Sequence, residues 1–565
     1  MPQPRSRAAL VTAAVLVTAG IVALVAARPA SPFTPPLFPG AEGFPPLVGL
    51  TELLGLDRLS RDAVAVLGGA ALFASVGAFL WALVESWRGA LSTGRILVVA
   101  VVLHLVAVAM PLFLSRDVYS YAIYGRMVSH HDANPYTEIP AAFPTDPTYR
   151  LVSVDWIDSP SVYGPAFSAV AAGVTAGVES PAGIVLGFKV IAALASLGTV
   201  LLVLASARRL VPERAAFAAV LLGWNPVVVF HGVAGGHNDS LLALAVAAAV
   251  LALLVRRELW ATAALAAGTL IKVSGAIPLL VAVVAAVIRR PRGERWRALG
   301  LHVAVAAAVA VPFVVPFMQA EDPTLGTLEL TSRQGWLAPS RFVLVLVRGA
   351  AEALAGNVAY DAASLIVRIA FPLLFVWVMV ALLRHLGREP GTLEPEVVVA
   401  ALGWASLMSF LVSPVLLPWY VAWVLPLAWF LPNPARGGAV LVSVSLAITE
   451  LLAEPSRSPD VWEAMVFGLH WVATPIVLLV LVRLVLDLRR RLALAPAAGP
   501  SSPLLLEPPS LVSGLARARA RPRLPGGDVP GRSDGEDQRR GGDVTRPDAQ
   551  PIGHDRRGDG HRDPD

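Results

Sequence analysis

The sequence predicts an all-α polytopic membrane protein, and two observations support that fold class. Of the 565 residues, 56% are hydrophobic and only 15% are charged. Apolar runs recur along the chain, and each run of about 20 residues is long enough to form one transmembrane helix. Much of the arginine lies beside these runs, where it sets topology, so the net charge of +5 does not indicate a nucleic-acid partner.

The first apolar stretch, residues 8–27, is longer than the apolar region of a signal peptide, roughly 7 to 15 residues. We therefore favour a retained first helix over a cleaved signal. Arg5 and Arg7 place its start in the cytoplasm, because Lys and Arg are enriched in cytoplasmic loops. Helices at 62–84 and 96–114 then lead inward and outward again, which makes the next segment extracytoplasmic.

The remaining apolar segments complete a bundle of about 12 to 14 transmembrane helices. The spans are expected at 182–206, 214–231, 239–255, 298–317, 361–383, 397–413, 418–431, 437–453 and 466–486. Segment 259–288 has arginines at both ends but is too short for two crossings, so we expect two short helices broken near "GTLIKVSGAIP". Segments 162–178 and 341–356 interrupt the alternation and are expected to be re-entrant or interfacial helices.

Composition divides the chain into two domains. Residues 1–494 are the expected integral membrane domain, and residues 495–565 are expected to form a disordered cytoplasmic tail rich in Pro, Gly, Arg and Asp. The extracytoplasmic loop 115–160 is too long for a simple connection, which favours either function or disorder. Its aromatic content argues against disorder, so this loop is the first functional candidate.

The loop opens with "SRDVYSYAIYGRMVSHHDANPYTE". On a helix, Asp117, Tyr121 and Tyr124 share one face, whereas Tyr119 and Arg126 share the opposite face. Tyrosines at headgroup depth are typical of an interfacial helix, which is the simpler interpretation. A carboxylate at the edge of an apolar span is costly unless it faces a cavity or partner, so Asp117 is a functional candidate.

Further tyrosines follow in "NPY" and "SPSVYGPAF", which suggest an ordered loop with a surface suited to sugar recognition. In "GGHNDS", the glycines and Asn238 or Asp239 could simply form a turn and a helix cap, or His237 and Asp239 could also face a ligand. Lys272 lies at the predicted helix break, where it either snorkels or binds a phosphate headgroup. Arg333 in "SRQGWL" has the same two interpretations.

Several chemistries have no support in the sequence. The absence of cysteine excludes disulfides, thiolate metal sites and cysteine nucleophiles. No Walker or Rossmann motif indicates nucleotide-driven chemistry. His130, His131 and Asp132 are adjacent, so their side chains diverge and are typical of a solvated turn. We therefore predict no metal site and name no cofactor, and leave divalent-metal dependence open.

The blocks "SRDVYSYAIYGRMV…NPY", "SPSVYGP", "GWNPVVVFHGVAGGHND" and "TLIKVSGAIPLL" together resemble the actinobacterial polyprenol-phosphate-mannose-dependent α-1,6-mannosyltransferases of the GT-C superfamily. The resemblance covers about Arg95 to Pro434. It implies a GT-C-like bundle with a large catalytic first extracytoplasmic loop. It also implies transfer of mannose from polyprenyl-phosphate-mannose to a lipid-anchored mannan or lipomannan-type acceptor at the outer membrane face, with α-1,6 linkage and inversion of a β-linked donor.

The resemblance assigns the role of catalytic carboxylate to Asp117, which would take the proton from the attacking sugar hydroxyl. Lys272 and Arg333 are the candidates for stabilising the departing lipid phosphate. The substrate-binding candidates are Tyr119, Tyr121, Tyr124, Arg126, Asn134, Tyr136, Tyr163, His237, Asn238 and Asp239. A second acid, often present in the superfamily, is ambiguous among Asp132, Asp155, Asp158 and Asp239.

Two alternative functions remain. A GT-C transferase could use another prenyl-phosphate sugar. A transporter or flippase of a lipid-linked sugar is an alternative from another class, but transporters usually show paired repeats and a midplane site. No repeat is evident here and the polar candidates gather at one face, which favours the enzyme.

Overall fold

The computed structural model describes residues 4–318, 337–388, 394–453, 456 and 458–493. These residues form helices and connecting loops, without a strand among them, which confirms the all-α class. All the described residues belong to one compact unit, Met1–Pro508. The predicted cytoplasmic tail lies outside the described residues.

The N-terminal part forms five helices, and sequence-encoded caps define two of their starts. The helices are α1 (Pro4–Ala27), α2 (Pro45–Leu53), α3 (Arg61–Trp87), α4 (Thr93–Ala109) and α5 (Asp117–His130). The Ser60 and Ser92 side chains accept hydrogen bonds from the backbone N–H groups of Ala63 and Arg95, so α3 and α4 begin at N-caps. Helix α1 packs along α3, which makes the first apolar segment part of the bundle.

The central part contains the helices that carry most of the polar candidates. They are α6 (Val154–Ile157), α7 (Pro165–Gly177), α8 (Pro181–Leu210), α9 (Ala215–Gly223), the π-helix Val227–Ala234, α10 (Asp239–Leu254), α11 (Glu258–Ile271) and α12 (Ala276–Ile288). The predicted break is present: α11 ends before Lys272, a short 3₁₀ turn follows, and α12 then returns toward the face from which α11 came. Segment 162–178 forms the short helix α7, which packs against α5.

The C-terminal part completes the bundle. Its helices are α13 (Arg295–Val314), α14 (Pro339–Arg388), α15 (Pro395–Val412), the 3₁₀ helix Pro418–Trp423, α16 (Leu425–Ala428), α17 (Asn433–Ala447), α18 (Pro459–Val461), the π-helix Trp462–Phe467 and α19 (Gly468–Ala493). The expected separate helix at 341–356 is wrong, because it continues into 361–383 within the 50-residue α14. The joining sequence "AGNVAYDA" has no proline and three alanines, so nothing in it stops the helix.

Among the described residues, seven helices are long and apolar enough to cross a membrane, or up to eight if one bent pair counts as a span. They are Ser6–Ala27, Arg61–Trp87, Pro181–Leu210, Arg292–Phe317, Asp361–Gly387, Pro395–Val412 and Pro459–Ala493, with Pro212–Gly223 and Val227–Ala234 as the pair bent by 43°. Six further apolar helices have 10–17 residues. The fold is therefore that of a polytopic membrane protein that combines long spans with shorter, broken helices.

Two apolar cores hold the bundle together. The larger one joins α1, α3, α4, α8–α12 and α14–α19. The smaller one packs the tyrosines of α5 against α7 and the start of α8. Because α5 begins at Asp117, this second core fixes the position of that carboxylate relative to the bundle.

Candidate active site

Four short segments at helix ends and connections meet at one end of the bundle and bring the polar candidates together. They are the start of α5, the turn between the first π-helix and α10, the break between α11 and α12, and the 3₁₀ helix Pro418–Trp423. Each contributes a polar or aromatic side chain to one cluster, which we call the acidic site. The members are Asp117, Tyr121, His237, Asn238, Asp239, Lys272, Trp419 and Tyr420.

Asp117 is the partly exposed carboxylate of the acidic site. Its side chain is 22% exposed, and one carboxylate oxygen lies 3.5 Å from Nδ1 of His237. Burial raises the pKa of the Asp117 carboxyl to about 6; the Lys272 ammonium opposes this shift and the Asp239 carboxylate adds to it. The carboxyl is therefore ionised at neutral pH, yet more basic than an ordinary aspartate.

His237 connects Asp117 to the aromatic wall of the site. Its ring stacks on Trp419 with the centroids 3.8 Å apart, and Nδ1 lies 3.4 Å from the hydroxyl of Tyr121. Its Nε2 and the amide nitrogen of Asn238 are buried without a hydrogen-bond partner among the described residues. Buried polar atoms are costly unless they are satisfied, so these two groups indicate a place for a polar ligand or water.

Asp239 and Lys272 form the charged floor of the site. The lysine Nζ lies 2.8 and 2.9 Å from the two carboxylate oxygens, and the Asp239 side chain is almost fully buried. The same ammonium lies 3.6 Å from the centre of the Tyr420 ring, a cation–π contact. Lys272 is thus neutralised by Asp239 and held in place by Tyr420, which the sequence did not predict.

Close backbone approaches hold these elements together. A Cβ on Gly164 would overlap the carbonyl oxygen of Leu270, and the Gly164 N–H donates to the carbonyl of Ile271 at 3.1 Å. Gly236 has a φ of +66°, and a Cβ there would lie 2.7 Å from Val118. Glycine is required at both positions because the chain passes directly against α5 and the α11–α12 break.

A buried lysine ties the end of α4 to the rest of the bundle. The Nζ of Lys189 donates to the carbonyls of Val108 at 3.0 Å and of Met110. These carbonyls belong to the last turn of α4 and the residue after it, and they lack intrahelical partners. Lys189 therefore anchors the chain immediately before Asp117.

The tyrosines of the loop form an aromatic wall with a fixed geometry. Tyr121 contacts Tyr163 and Phe167 edge-on, with ring centroids 4.9 and 4.8 Å apart. The hydroxyl of Tyr136 lies 2.8 Å from the carbonyl of Tyr163, and the hydroxyl of Tyr124 donates to the carbonyl of Ser159. Tyr163 thus packs against Tyr121 of the acidic site, whereas Tyr124 and Tyr136 hold the loop against α5 and α7.

Three further predicted substrate-binding residues also lie outside the acidic site. The Tyr119 hydroxyl donates to the carbonyl of Pro36, and the amide nitrogen of Asn134 donates to the carbonyl of Phe317. Arg126 pairs with Asp146 at 2.8 Å. These side chains are engaged in loop structure, and they do not join the acidic site. Arg333 lies outside the described residues.

Asp146 organises the loop around Arg126. One of its carboxylate oxygens also lies 2.8 Å from Nε2 of His131, and the other accepts from the Thr148 hydroxyl. Burial would raise the pKa of Asp146, but the hydrogen bonds from Thr148, His131 and Arg126 outweigh it and leave the pKa below its ordinary value. Asp146 is therefore an ionised structural centre of the loop. His131, expected in a solvated turn, is one of its partners.

The second acid has one structural candidate. Asp155 and Asp158 are exposed on the loop, and Asp132 occupies the helix C-terminal turn with a φ of +49°. Asp239 is buried in the acidic site and acts electrostatically on Asp117. Within the described ranges, no three His, Asp or Glu side chains converge as metal ligands.

A cavity of about 590 Å³ adjoins the site beneath Tyr420. Its lining is mostly apolar, with Phe371, Phe375 and Phe410 among its walls. Arg368, the eighth residue of the candidate span Asp361–Gly387, also lines it and has no ion pair among the described residues. Sequence reasoning missed Arg368 although an arginine inside an apolar span was a visible signal. It also missed Trp419 and Tyr420.

Comparison with known proteins gives a consistent result. Residues 43–289 match the family model described as "Alpha-(1->6)-mannopyranosyltransferase, N-terminal domain". The chain is 26% identical to alpha-(1->6)-mannopyranosyltransferase A of Mycobacterium tuberculosis over 65% of this chain and 70% of the relative. A Corynebacterium glutamicum protein of the same name is 31% identical over 29% of this chain and 34% of its own length.

A second alpha-(1->6)-mannopyranosyltransferase of Mycobacterium tuberculosis is 27% identical over 60% of this chain and 66% of the relative. No solved structure gives a significant match. The matched segment 43–289 contains Asp117, His237, Asp239 and Lys272, whereas Arg368 and Tyr420 lie beyond it. These similarities confirm the resemblance of this chain to the actinobacterial alpha-(1->6)-mannopyranosyltransferase family.

Proposed function

We propose that this protein is a membrane mannosyltransferase that moves mannose from polyprenyl-phosphate-mannose to a mannan-type acceptor, forming an α-1,6 linkage at the extracytoplasmic face. The names of its relatives support the transfer of mannose and the linkage. One observation within the chain carries the proposal furthest. A basic carboxylate, Asp117, stands beside buried polar atoms that have no partner among the described residues, in a site whose Tyr420 lines an apolar cavity.

Asp117 is assigned the role of general base. Its raised pKa suits proton abstraction, because a base is most effective when its pKa approaches the working pH. The acceptor hydroxyl loses its proton to the Asp117 carboxylate while its oxygen bonds to the anomeric carbon of mannose. The bond from that carbon to the phosphate oxygen breaks at the same time, and the lipid phosphate leaves with the electron pair. A β-linked donor would thereby give an α product.

The sugar would occupy the polar half of the site. His237 Nε2 and the Asn238 amide nitrogen are buried and unpartnered among the described residues, and they can hydrogen-bond sugar hydroxyls. Tyr121 and Tyr163 offer aromatic surfaces beside them. The stacking of His237 on Trp419 and its contact with Asp117 fix the imidazole, so that its orientation needs no change on binding.

The donor phosphate and its chain would occupy the other half. Lys272 lies between Asp239 and Tyr420, and Tyr420 lines the 590 Å³ cavity. Because Asp239 already neutralises Lys272, a second cation is needed for full stabilisation of a leaving phosphate. We assign that role to Arg368, which faces the same cavity. The phenylalanines of the cavity wall would accommodate the first isoprene units.

The proposal is tested with the purified full-length protein in nanodiscs. Polyprenyl-phosphate-mannose is supplied together with a short α-1,6-mannoside, and products are analysed by mass spectrometry and linkage analysis. The expected product is one hexose longer than the acceptor and carries a new α-1,6 bond. Movement of the donor between the leaflets of proteoliposomes, measured in parallel, without a new glycosidic bond would contradict the proposal and favour the transporter. Transfer only from another prenyl-phosphate sugar would contradict the proposal that mannose is the transferred sugar.

A further inference from the structure

A second cavity lies at the opposite end of α10 and α11 from the acidic site. It has a volume of about 500 Å³, and the chain ends that line it come from α10, α11, α12 and α13. Helix α10 runs from Asp239 in the acidic site to Leu254, a length of about 24 Å at 1.5 Å per residue. The cavity is thus close to the other membrane face and is independent of the proposed reaction. We call it the basic pocket.

The basic pocket carries more positive charge than its neighbours neutralise. Between residues 256 and 297 the chain has seven arginines and two glutamates. Glu258 pairs with Arg289 at 3.1 Å and with Arg290 at 3.4 Å, and Arg256 pairs with Glu394 at 2.8 Å. The remaining arginines of the lining, Arg257 and Arg297, form no ion pair within the described part of the chain.

The rim of the pocket is apolar on the side facing the membrane. Trp260 lines the pocket and is 71% exposed, and Leu301 is 51% exposed. In the most apolar 18-residue window of the span Arg292–Phe317, which begins at the pocket, only 6% of the residues are buried, so much of its apolar surface is available to lipid. Tryptophan at the end of such a span is typical of the membrane–water interface.

We propose that the basic pocket binds the phosphate headgroup of an anionic phospholipid. Arg257 and Arg297 hold the phosphate oxygens, since guanidinium groups match phosphate geometry with paired hydrogen bonds. Trp260 covers the glycerol region, and the acyl chains lie along the exposed apolar surface of α13. A soluble anion would use the two arginines equally well but would leave the apolar rim without a role, so the lipid is the occupant that the whole surface fits.

The test uses the full-length protein in detergent and native mass spectrometry. Phosphatidylglycerol is titrated against phosphatidylcholine with the same acyl chains, for the wild type and for the R257Q/R297Q variant. We expect the wild type to prefer phosphatidylglycerol and the variant to bind it about thirtyfold more weakly, since each of the two arginines near anionic lipid contributes roughly 1 kcal/mol. The R257K/R297K variant should lose less, because it keeps charge but loses paired hydrogen bonding.

The matched control is R208Q/R209Q, which removes two exposed arginines from the C-terminal end of α8 at the same face. This variant should keep the phosphatidylglycerol affinity of the wild type. An equal loss of phosphatidylglycerol affinity in both double variants would indicate a diffuse effect of interfacial charge and would contradict a specific lipid site. So would the absence of a preference for phosphatidylglycerol, or displacement of the lipid by an equal concentration of inorganic phosphate.

Discussion

Lys272 and Asp239 form a buried ion pair that joins the break between α11 and α12 to the first residue of α10. The ammonium nitrogen lies 2.8 and 2.9 Å from the two carboxylate oxygens, and Tyr420 covers it on another side. Two charges are therefore held at the base of the acidic site by contacts from three separate segments. This arrangement links the stability of the break to the electrostatics at Asp117.

Removing one member of this pair should be worse than removing both. In Asp239→Asn the Lys272 charge stays buried without its partner, and in Lys272→Gln the Asp239 charge does. Losses of about 3–5 kcal/mol are expected for breaking a buried pair from one side. Thermal unfolding of the purified single variants and of the double variant measures the coupling. Single-variant losses that simply add in the double variant would contradict an energetically coupled pair.

The rate of transfer should depend on pH through Asp117. Burial raises the pKa of this carboxyl to about 6, and a general base works only when ionised. The value of kcat/KM should therefore be constant above pH 7 and fall about tenfold per unit well below pH 6. The profile is measured with saturating acceptor between about pH 3.5 and pH 8. An acid limb at an ordinary aspartate value near pH 4 would contradict the predicted environment of Asp117.

Arg368→Gln should raise the KM for the donor with little effect on the stability of the protein. The guanidinium faces the apolar cavity without an ion pair in the described residues, so its loss removes a phosphate contact. A charge-assisted hydrogen bond is worth about 1.5–3 kcal/mol, which predicts a donor KM raised by tenfold or more. Arg384→Gln is the matched control, because Arg384 is exposed on the same helix, as Arg368 is, but does not line the cavity. An equal change in donor KM for the two substitutions would contradict the assignment of Arg368 to the donor phosphate.

Gly164→Ala should destabilise the junction between the loop and the helix break. The added Cβ would overlap the Leu270 carbonyl oxygen, so the backbone must move apart. Overpacking of this kind costs about 1–3 kcal/mol. Gly173→Ala, on α7 with open space around the new methyl, is the control and should not destabilise. Melting temperatures compare the two, and an unchanged value for Gly164→Ala would show that the close approach is not required.

Sequence patterns predicted those parts of the site that depend on local chemistry. The break before Lys272 followed from arginines at both ends of a segment too short for two crossings. The helical face shared by Asp117 and Tyr121 followed from a spacing of four residues, and both residues lie in the acidic site. The sequence left open whether the turn containing His237 and Asp239 is only structural. In the structure, His237 lies beside Asp117 and Asp239 pairs with Lys272.

Sequence could not predict contacts made with distant segments. Tyr119 and Arg126 are on the opposite face of α5, and their partners, Pro36 and Asp146, lie in loops without a recognisable pattern. Trp419 and Tyr420 come from a region more than 140 residues beyond Lys272. Their role depends on the tertiary packing of the Pro418–Trp423 helix. Arg368 differs, because its position inside an apolar span was a sufficient signal.

The proposed function depends most on Asp117, and its substitution by asparagine gives the most direct measurement. Mannose transfer from polyprenyl-phosphate-mannose to a short mannoside is compared for the wild type and Asp117→Asn, with donor binding and melting temperature measured on the same samples. A general base contributes about 10²- to 10⁴-fold to the rate, so we predict a loss of that size with donor binding and folding retained. A folded, donor-binding Asp117→Asn protein that transfers mannose at the wild-type rate would contradict the role of Asp117 as the base.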